Sequence, residues 1–408
     1  MSLPPLDEFV RRAHDWLSSE CPRAAADRGL NDVAVFHSLP HDRERALISG
    51  AGEWQRRKMD AGYGAIAWAP KFGGAGLTPA HARAFTAAEA QYATPADHEL
   101  RRITVNLVAP TVRDWGTEQQ RERFVRPFLR CEEFVCQLYS EPGAGSDLAG
   151  LATRAAADGS DWVINGAKIW VSGAQFADWG FLLARTDPDQ PKHRGITAFL
   201  LPMNVEGIEV RPIRQMTGGA SFNEVFLTDV RLADEFRLGA PGEGWRVATS
   251  MLAFERSQSG SRAGVGASAE QLLQLARRST RIDPAVRDQV VRAYVHERTR
   301  MLTRQRADER SLHSTAPGPE GSMGKLLWVQ GLQAIGDAAA AVLGPRIVAD
   351  DGGPGTYAWS EHLLGAPGFR IAGGSDEIQR NILAERVLGL PAEPGPARSL
   401  PWRDQRRI

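Results

Sequence analysis

Gly373-Gly374-Ser375-Asp376-Glu377-Ile378-Gln379-Arg380-Asn381-Ile382-Leu383-Ala384-Glu385-Arg386-Val387-Leu388-Gly389-Leu390-Pro391 carries both ends of a helix and the strongest functional signal in the chain. The two glycines allow a close backbone approach, Ser375 is placed to cap, and Asp376 and Glu377 put negative charge in the first turn, where the helix dipole favours it. Ile378, Ile382, Leu383 and Val387 recur at helical spacing and predict one buried face, while Gly389 and Pro391 supply the stop. A glycine pair opening onto free N–H groups also suits a phosphate or another anion, although a plain helix cap uses the same residues.

The 408-residue chain, 42% hydrophobic and 24% charged, has material for two or three cores and no compositional sign of disorder. Lys+Arg and Asp+Glu number 49 each, so the zero net charge gives no reason to expect nucleic acid or an anionic membrane as a partner. Cys21, Cys131 and Cys136 make neither a disulfide framework nor a common zinc spacing. His37, His41, His81, His98, His313 and His362 form no ligand pair in sequence, so no metal is expected. The start, Met1-Ser2-Leu3-Pro4-Pro5, lacks a basic stretch followed by an apolar core, and no window runs to eighteen uninterrupted apolar residues. A cytoplasmic protein without a membrane span is the expectation.

Helical spacing dominates residues 1–133. Leu6, Val10, His14 and Leu17 predict one amphipathic helix and residues 46–59 another, while Thr78-Pro79 and Gly116-Thr117-Glu118 read as capped helix starts. From 134 to 239 the texture is β, with 162–166, 195–201 and 223–230 as short strands of a small barrel or sandwich. Gly239-Ala240-Pro241-Gly242-Glu243-Gly244 reads as a hinge into helices that fill 240–391. The Pro- and Arg-rich residues 392–408 read as a mobile tail or a strap on a neighbouring subunit.

Two further strings stand out. Tyr139-Ser140-Glu141-Pro142-Gly143-Ala144-Gly145-Ser146-Asp147 is a strand end followed by a loop that exposes main-chain N–H groups between hydroxyls, although a turn capped by Ser146 or Asp147 would read the same. Lys168-Ile169-Trp170-Val171-Ser172-Gly173 reads as a strand, in which a Trp beside a Ser is ordinarily core. Taken in order with 373–391, these strings resemble the acyl-CoA dehydrogenase family. They are similar to its Glu-Pro-Gly-Ala-Gly-Ser-Asp loop, its Lys-x-Trp-Ile-Thr/Ser strand and its Gly-Thr/Ser-x-Glu-Ile-x-Arg-Asn signature, and the likeness spans most of residues 60–391. The resemblance implies an α+β multidomain fold: a helical amino-terminal domain, a central β domain and a carboxyl-terminal four-helix bundle, with FAD as cofactor. It implies that Tyr139, Ser140, Trp170 and Ser172 contact the flavin, and that Gly374, Ser375 and Glu377 belong to the FAD site. Ser146 would lie near the acyl thioester or its pantetheine arm.

Dehydrogenating an acyl thioester requires a carboxylate to take the α-proton while a hydride leaves the β-carbon. Many family members carry that Glu directly before the signature glycine, where this chain has Gly373. Glu255, in Ser250-Met251-Leu252-Ala253-Phe254-Glu255-Arg256, lies in an apolar helical turn where isovaleryl- and long-chain-type members place their base; a Glu on a helix is more often simply solvent-facing. The resemblance thus implies Glu255 as base, the Gly373 N–H as donor to the thioester oxygen, and Arg256 as a group orienting the carboxylate or substrate loop. It also implies an acyl-CoA substrate, an electron-transfer flavoprotein as oxidant, and a homodimer or tetramer. The family's adenine-side motifs, Arg-x-x-Phe-Gly and Gln-x-x-Gly-Gly, are not recognisable at 278–283 or 343–346. That departure leaves open a flavin-poor subunit of a mixed oligomer, beside a flavin oxidase or monooxygenase on the same fold.

Overall fold

The computed structural model describes residues 3–24, 33–36, 39–259, 265–279, 282–311, 320–349, 356–392 and 399–405. Its amino-terminal helices are α1 (Leu6–Glu20), α2 (His41–Asp60), α3 (Pro79–Glu89), α4 (Glu99–Arg102), α5 (Ala109–Trp115), α6 (Glu118–Gln120) and α7 (Arg126–Arg130), with a π-helical turn at Ile103–Val108 joining α4 to α5. Helix α1 buries Phe9, Ala13 and Leu17 and leaves Leu6 exposed, a face rotated from the expected stripe. Phe9 sets that rotation by meeting Tyr63 and His81 edge-on. Thr117 caps α6 reciprocally with Gln120 as its sequence suggests, whereas the Thr78 hydroxyl pairs with His81 Nδ1 at 2.7 Å instead of capping α3.

Strands β1 (Val135–Leu138), β2 (Arg154–Asp158), β3 (Asp161–Ser172), β4 (Trp179–Arg185), β5 (Ile196–Pro202), β6 (Ile208–Ile213), β7 (Phe222–Ala233) and β8 (Arg237–Leu238) form one sheet. Its order is β6-β7-β3-β2-β4-β5-β8, with β1 added beside β4. The halves join where Arg154 of β2 meets Arg185 of β4. Around that joint they fold face to face, burying Ile164, Val225 and Leu227 of one half against Leu182, Phe199 and Leu201 of the other. The packing is sandwich-like and the sheet stays open; the expected barrel alternative does not form, because β6 and β8 end the order without meeting.

The carboxyl-terminal region holds α8 (Gly244–Ser259), α9 (Ala269–Arg278), α10 (Pro284–Ser311), α11 (Glu320–Leu343), α12 (Thr356–Gly365) and α13 (Asp376–Arg386). Helix α11 touches α8, α9, α10, α12 and α13, so the bundle is built around one central helix. That position explains its composition: the stretch Gly321–Val348 is long and apolar enough to cross a membrane, yet 56% of its most apolar window is buried inside the protein. His362 of α12 is fully buried, with Nε2 2.8 Å from Leu332 O and Nδ1 placed to accept the Ala267 N–H at 3.0 Å when it carries no proton, or to donate to Val33 O at 3.1 Å when it does.

Helix α13 departs from its expected buried stripe. Its buried residues are Asp376 and Gln379; Ile378, Ile382 and Leu383 are half-buried and Val387 is 54% exposed. The helix docks through its polar first turn, so its apolar side is left open in the single chain. The described part of the tail, 399–405, packs on this chain's own β domain, where Pro401 bridges to Pro191.

Candidate active site

The β-domain side of the site is made by an interruption in β3. Pairing with β7 runs through Lys168↔Val225 and resumes at Val171↔Asn223, so Ile169 and Trp170 bulge from the ladder. The Ile169 N–H donates to Ser140 O at 2.9 Å, which brings two of the three strings together. Trp170 takes a left-handed φ of 60° and is 58% exposed, a conformation that costs a non-glycine residue about 1–3 kcal/mol. Its indole is therefore a presented surface group and not core.

Buried charge holds the loop next to it. Lys168 is 0% exposed and donates to Glu141 Oε1 at 2.8 Å, Leu183 O at 2.8 Å and Tyr139 O at 3.2 Å, which uses all of its ammonium protons. The Glu141 carboxylate also accepts the Ala152 and Thr153 N–H groups at 2.6 and 2.9 Å. Burial alone would raise the Glu141 pKa, but Lys168 and these hydrogen bonds hold it below its usual value; burial pushes Lys168 down, only partly offset by Glu141. Tyr139 is buried with its hydroxyl donating to Met251 Sδ of α8 at 3.3 Å, Ser172 is half-buried, and Ser146 is exposed.

The second side is the turn before α13. Gly373 and Gly374 both have left-handed φ, 68° and 85°, and a Cβ on Gly374 would come within 2.7 Å of Gln379 Nε2. Gln379 Nε2 donates to Gly373 O at 2.9 Å, and the buried Lys325 ammonium donates to Gly374 O. In a trans peptide the carbonyl and the following N–H point opposite ways. The Gly374 and Ser375 amides thus face away from Gln379 and Lys325, and among the described residues no acceptor takes them. Ser375 Oγ accepts the Ile378 N–H at 3.3 Å as a helix cap, Glu377 is exposed, and buried Asp376 pairs with Arg370 at 2.9 Å.

Aromatic rings connect the two sides. Trp328 of α11 lies 4.7 Å from Phe369, Phe369 stacks on Phe36 at 4.9 Å, Phe36 meets Phe222 at 5.4 Å, and Phe222 meets Trp170 at 6.2 Å. Helix α8 approaches through Met251 against Tyr139 and continues to Ser259. Glu255 is one helical turn beyond Met251 in the same helix, but its side chain and that of Arg256 lie outside the described residues. Among the described residues no cluster of His, Cys, Asp and Glu is arranged to hold a metal.

Sequence reasoning passed over Lys325, Gln379 and the roles of Glu141 and Lys168. A lone Lys inside Ser322-Met323-Gly324-Lys325-Leu326-Leu327-Trp328 was the available signal for the first.

Three family profiles match in succession: the acyl-CoA dehydrogenase amino-terminal domain over residues 12–132, middle domain over 136–230 and carboxyl-terminal domain over 242–388. The chain belongs to the acyl-CoA dehydrogenase family. It is 38% identical to the acyl-CoA dehydrogenase IpdE1 of Mycobacterium tuberculosis over 393 residues, 95% of this chain and 98% of that protein. Among solved structures it is similar to the ChsE4-ChsE5 complex from Mycobacterium tuberculosis, with a TM-score of 0.71, 26% identity, and 96% and 99% of the two chains covered. The Tcur3481-Tcur3483 steroid ACAD shares the fold, with a TM-score of 0.75, 24% identity, and 96% and 100% covered. Members of this family depend on FAD. The residues present fit such a group: a surface indole on a strained backbone and two open amides at a glycine turn whose Cβ-free approach is required.

Proposed function

We propose that this chain oxidises an acyl-CoA thioester to the enoyl-CoA, with Glu255 as the base. The observation that carries the assignment is the Tyr139–Met251 contact, which seats α8 against the Tyr139–Ser146 loop one turn before Glu255. Glu255 takes the α-proton, and the bond pair left on the α-carbon forms the new double bond as the β-hydrogen departs with its electrons. When bound, FAD supplies the acceptor for that hydride. Tyr139, Ser140, Trp170 and Ser172 would hold its ring, and Gly374, Ser375 and Glu377 would hold another part of it. The Gly373 N–H stabilises the thioester oxygen as enolate charge grows, and Ser146 and Arg256 position the thioester arm. Substrate that excludes water from the carboxylate of Glu255 would strengthen it as a base.

Anaerobic titration of the purified holoenzyme with straight-chain, branched and steroid-type acyl-CoAs tests this. Bleaching of oxidised flavin by one of them is expected, and Glu255→Gln should slow it by about 10²–10⁴-fold with flavin retained. Normal turnover by that variant would reject Glu255. Rapid reoxidation by air would point instead to an oxidase. The steroid-type thioester is the first to try, given what the related ACAD is named for.

A second reading concerns assembly, and the exposed apolar residues Val387, Leu388 and Leu390 at the far end of the helix that the glycine turn opens favour it. We propose that another chain covers this flank, a different one as in the ChsE4-ChsE5 complex or a copy of this one. Electron-transfer flavoprotein is the proposed oxidant of the reduced enzyme.

A further inference from the structure

Segment 399–405 is seated by main-chain bonds on the loop that follows β4. The Trp402 N–H donates to Gln190 O at 2.9 Å, the Arg403 N–H donates to Pro188 O at 3.1 Å, Pro401 bridges to Pro191, and the Arg403 guanidinium pairs with Asp189. Seated so, the Trp402 indole N–H donates to Gly150 O at 3.3 Å, and its ring lies 4.7 Å from the Arg185 guanidinium. Arg185 is only 2% exposed and donates to Ala149 O at 2.6 Å, Leu151 O at 3.1 Å and Lys192 O at 2.6 Å.

Three consecutive carbonyls, those of Ala149, Gly150 and Leu151, are thus held by one guanidinium and one indole. The next two amides, of Ala152 and Thr153, are held by Glu141. Asp147 is tied to the same neighbouring loop through Lys192 at 2.7 Å. Burial lowers the Arg185 pKa to about 10, against the pull of Glu141, Asp147 and Asp187, so the guanidinium stays charged at neutral pH. A buried cation whose close donors all go to neutral carbonyls gains from an aromatic face. Trp402 supplies that face from the far end of the chain.

We infer that residues 399–405 are a latch, in which Trp402 is a positioning residue acting through Arg185. The docked tail fixes the backbone of 149–151, and with it the Tyr139–Asp147 loop, in the arrangement that receives the acyl-CoA arm. This rests on the reading of that loop as thioester-binding. Undocking the tail frees the loop without touching the reacting atoms, so it weakens substrate capture and spares chemistry.

The test compares wild-type holoenzyme with Trp402→Ala, Trp402→Phe and Asp189→Ala by hydrogen exchange and by steady-state kinetics. The Gly150 and Leu151 amides, bonded to Asp147 O and Leu148 O, report the loop directly. In Trp402→Ala their exchange should accelerate about tenfold and KM should rise about tenfold with kcat within about twofold. Trp402→Phe, which keeps a ring over Arg185, should recover most of both, and Asp189→Ala, altering only a surface anchor, should move both in the same direction by less. Unchanged exchange at 150–151 in both Trp402→Ala and Asp189→Ala would overturn the latch, as would kcat falling with KM constant. Should Trp402→Ala not fold, Asp189→Ala and Trp402→Phe decide on the same readouts. If exchange accelerates but wild-type protein neither binds nor oxidises any acyl-CoA, the latch stands and the functional reading fails.

Discussion

The Tyr139–Thr153 loop and the Gly373–Ser375 turn face one proposed substrate but are secured in opposite ways. The loop is held by charges buried within this chain: Lys168 and Glu141 satisfy each other, two carbonyls and two amides. The turn is held through its carbonyls, by Gln379 and Lys325, and through the Ser375 cap, with its amides open and the apolar side of α13 only half-buried. A closed polar network is complete as the chain folds, whereas a turn with open donors is built to receive something. The first should therefore respond to mutation as a folding element and the second as a binding element.

Removing the loop's charge breaks that contrast most sharply. Glu141→Gln leaves Lys168 buried without a counter-charge and should cost about 3–5 kcal/mol in urea unfolding, with loss of the folded β domain as the extreme outcome. Stability within about 0.5 kcal/mol of wild type would mean that the pair is not structural.

At the turn, Lys325→Met deprives Gly374 O of its charged donor and should cost about 1–3 kcal/mol. The larger consequence is functional: with the carbonyl released, the peptide can rotate, and affinity for acyl-CoA should fall more than the unfolding midpoint suggests. Equilibrium titration beside urea unfolding separates the two. A loss confined to stability would make Lys325 an ordinary core contact.

Much of this organisation is legible in the residues and some is not, for physical reasons. Local rules place the Ser375 and Thr117 caps, because a cap depends on neighbours three residues away. They fail for Thr78, where His81 competes for the hydroxyl, and for α1, where Phe9 turns the helix toward Tyr63 and His81. Trp170 illustrates a deeper limit. As a strand Trp it reads as core, and only the diversion of the Ile169 N–H to Ser140 throws the indole outward. The family strings mark which residues lie near the site, but Lys325, 48 positions before Gly373, becomes part of it only through the packing of α11 on α13.

Acid should also tell the carboxyl-terminal helices from the β domain. Burial lowers the His362 pKa below 6.5, against the pull of Leu332 O and Val33 O. The unfolded chain then binds more protons between the folded value and 6.5, so this contribution is complete above 6.5 and is lost as pH falls through the folded value. Glu141 follows the same sign at lower pH, its contribution present above 4.5 and lost as pH falls through its depressed folded value. The helical region should soften first on acidification, with a slope of at most about 1.4 kcal/mol per pH unit from His362. His362→Gln should flatten the upper part of a stability-against-pH curve and leave the lower part alone; an unchanged upper slope would remove His362 from the account.

The smallest effect on folding comes with the most informative effect on assembly. Val387 and Leu388 are 54% and 70% exposed, so Val387→Asp or Leu388→Asp should change the unfolding free energy by no more than about 0.5 kcal/mol in the single chain. If a second chain covers this flank, a buried carboxylate there has no counter-charge and the assembly should fall to monomer in sedimentation. The glycine turn precedes the same helix, so loss of the neighbour should also weaken flavin retention, while the β-domain loop keeps its exchange protection because its network lies within one chain. A variant that remains assembled with its flavin would mean the apolar side of α13 is merely surface. The open amides would then be completed by ligand alone.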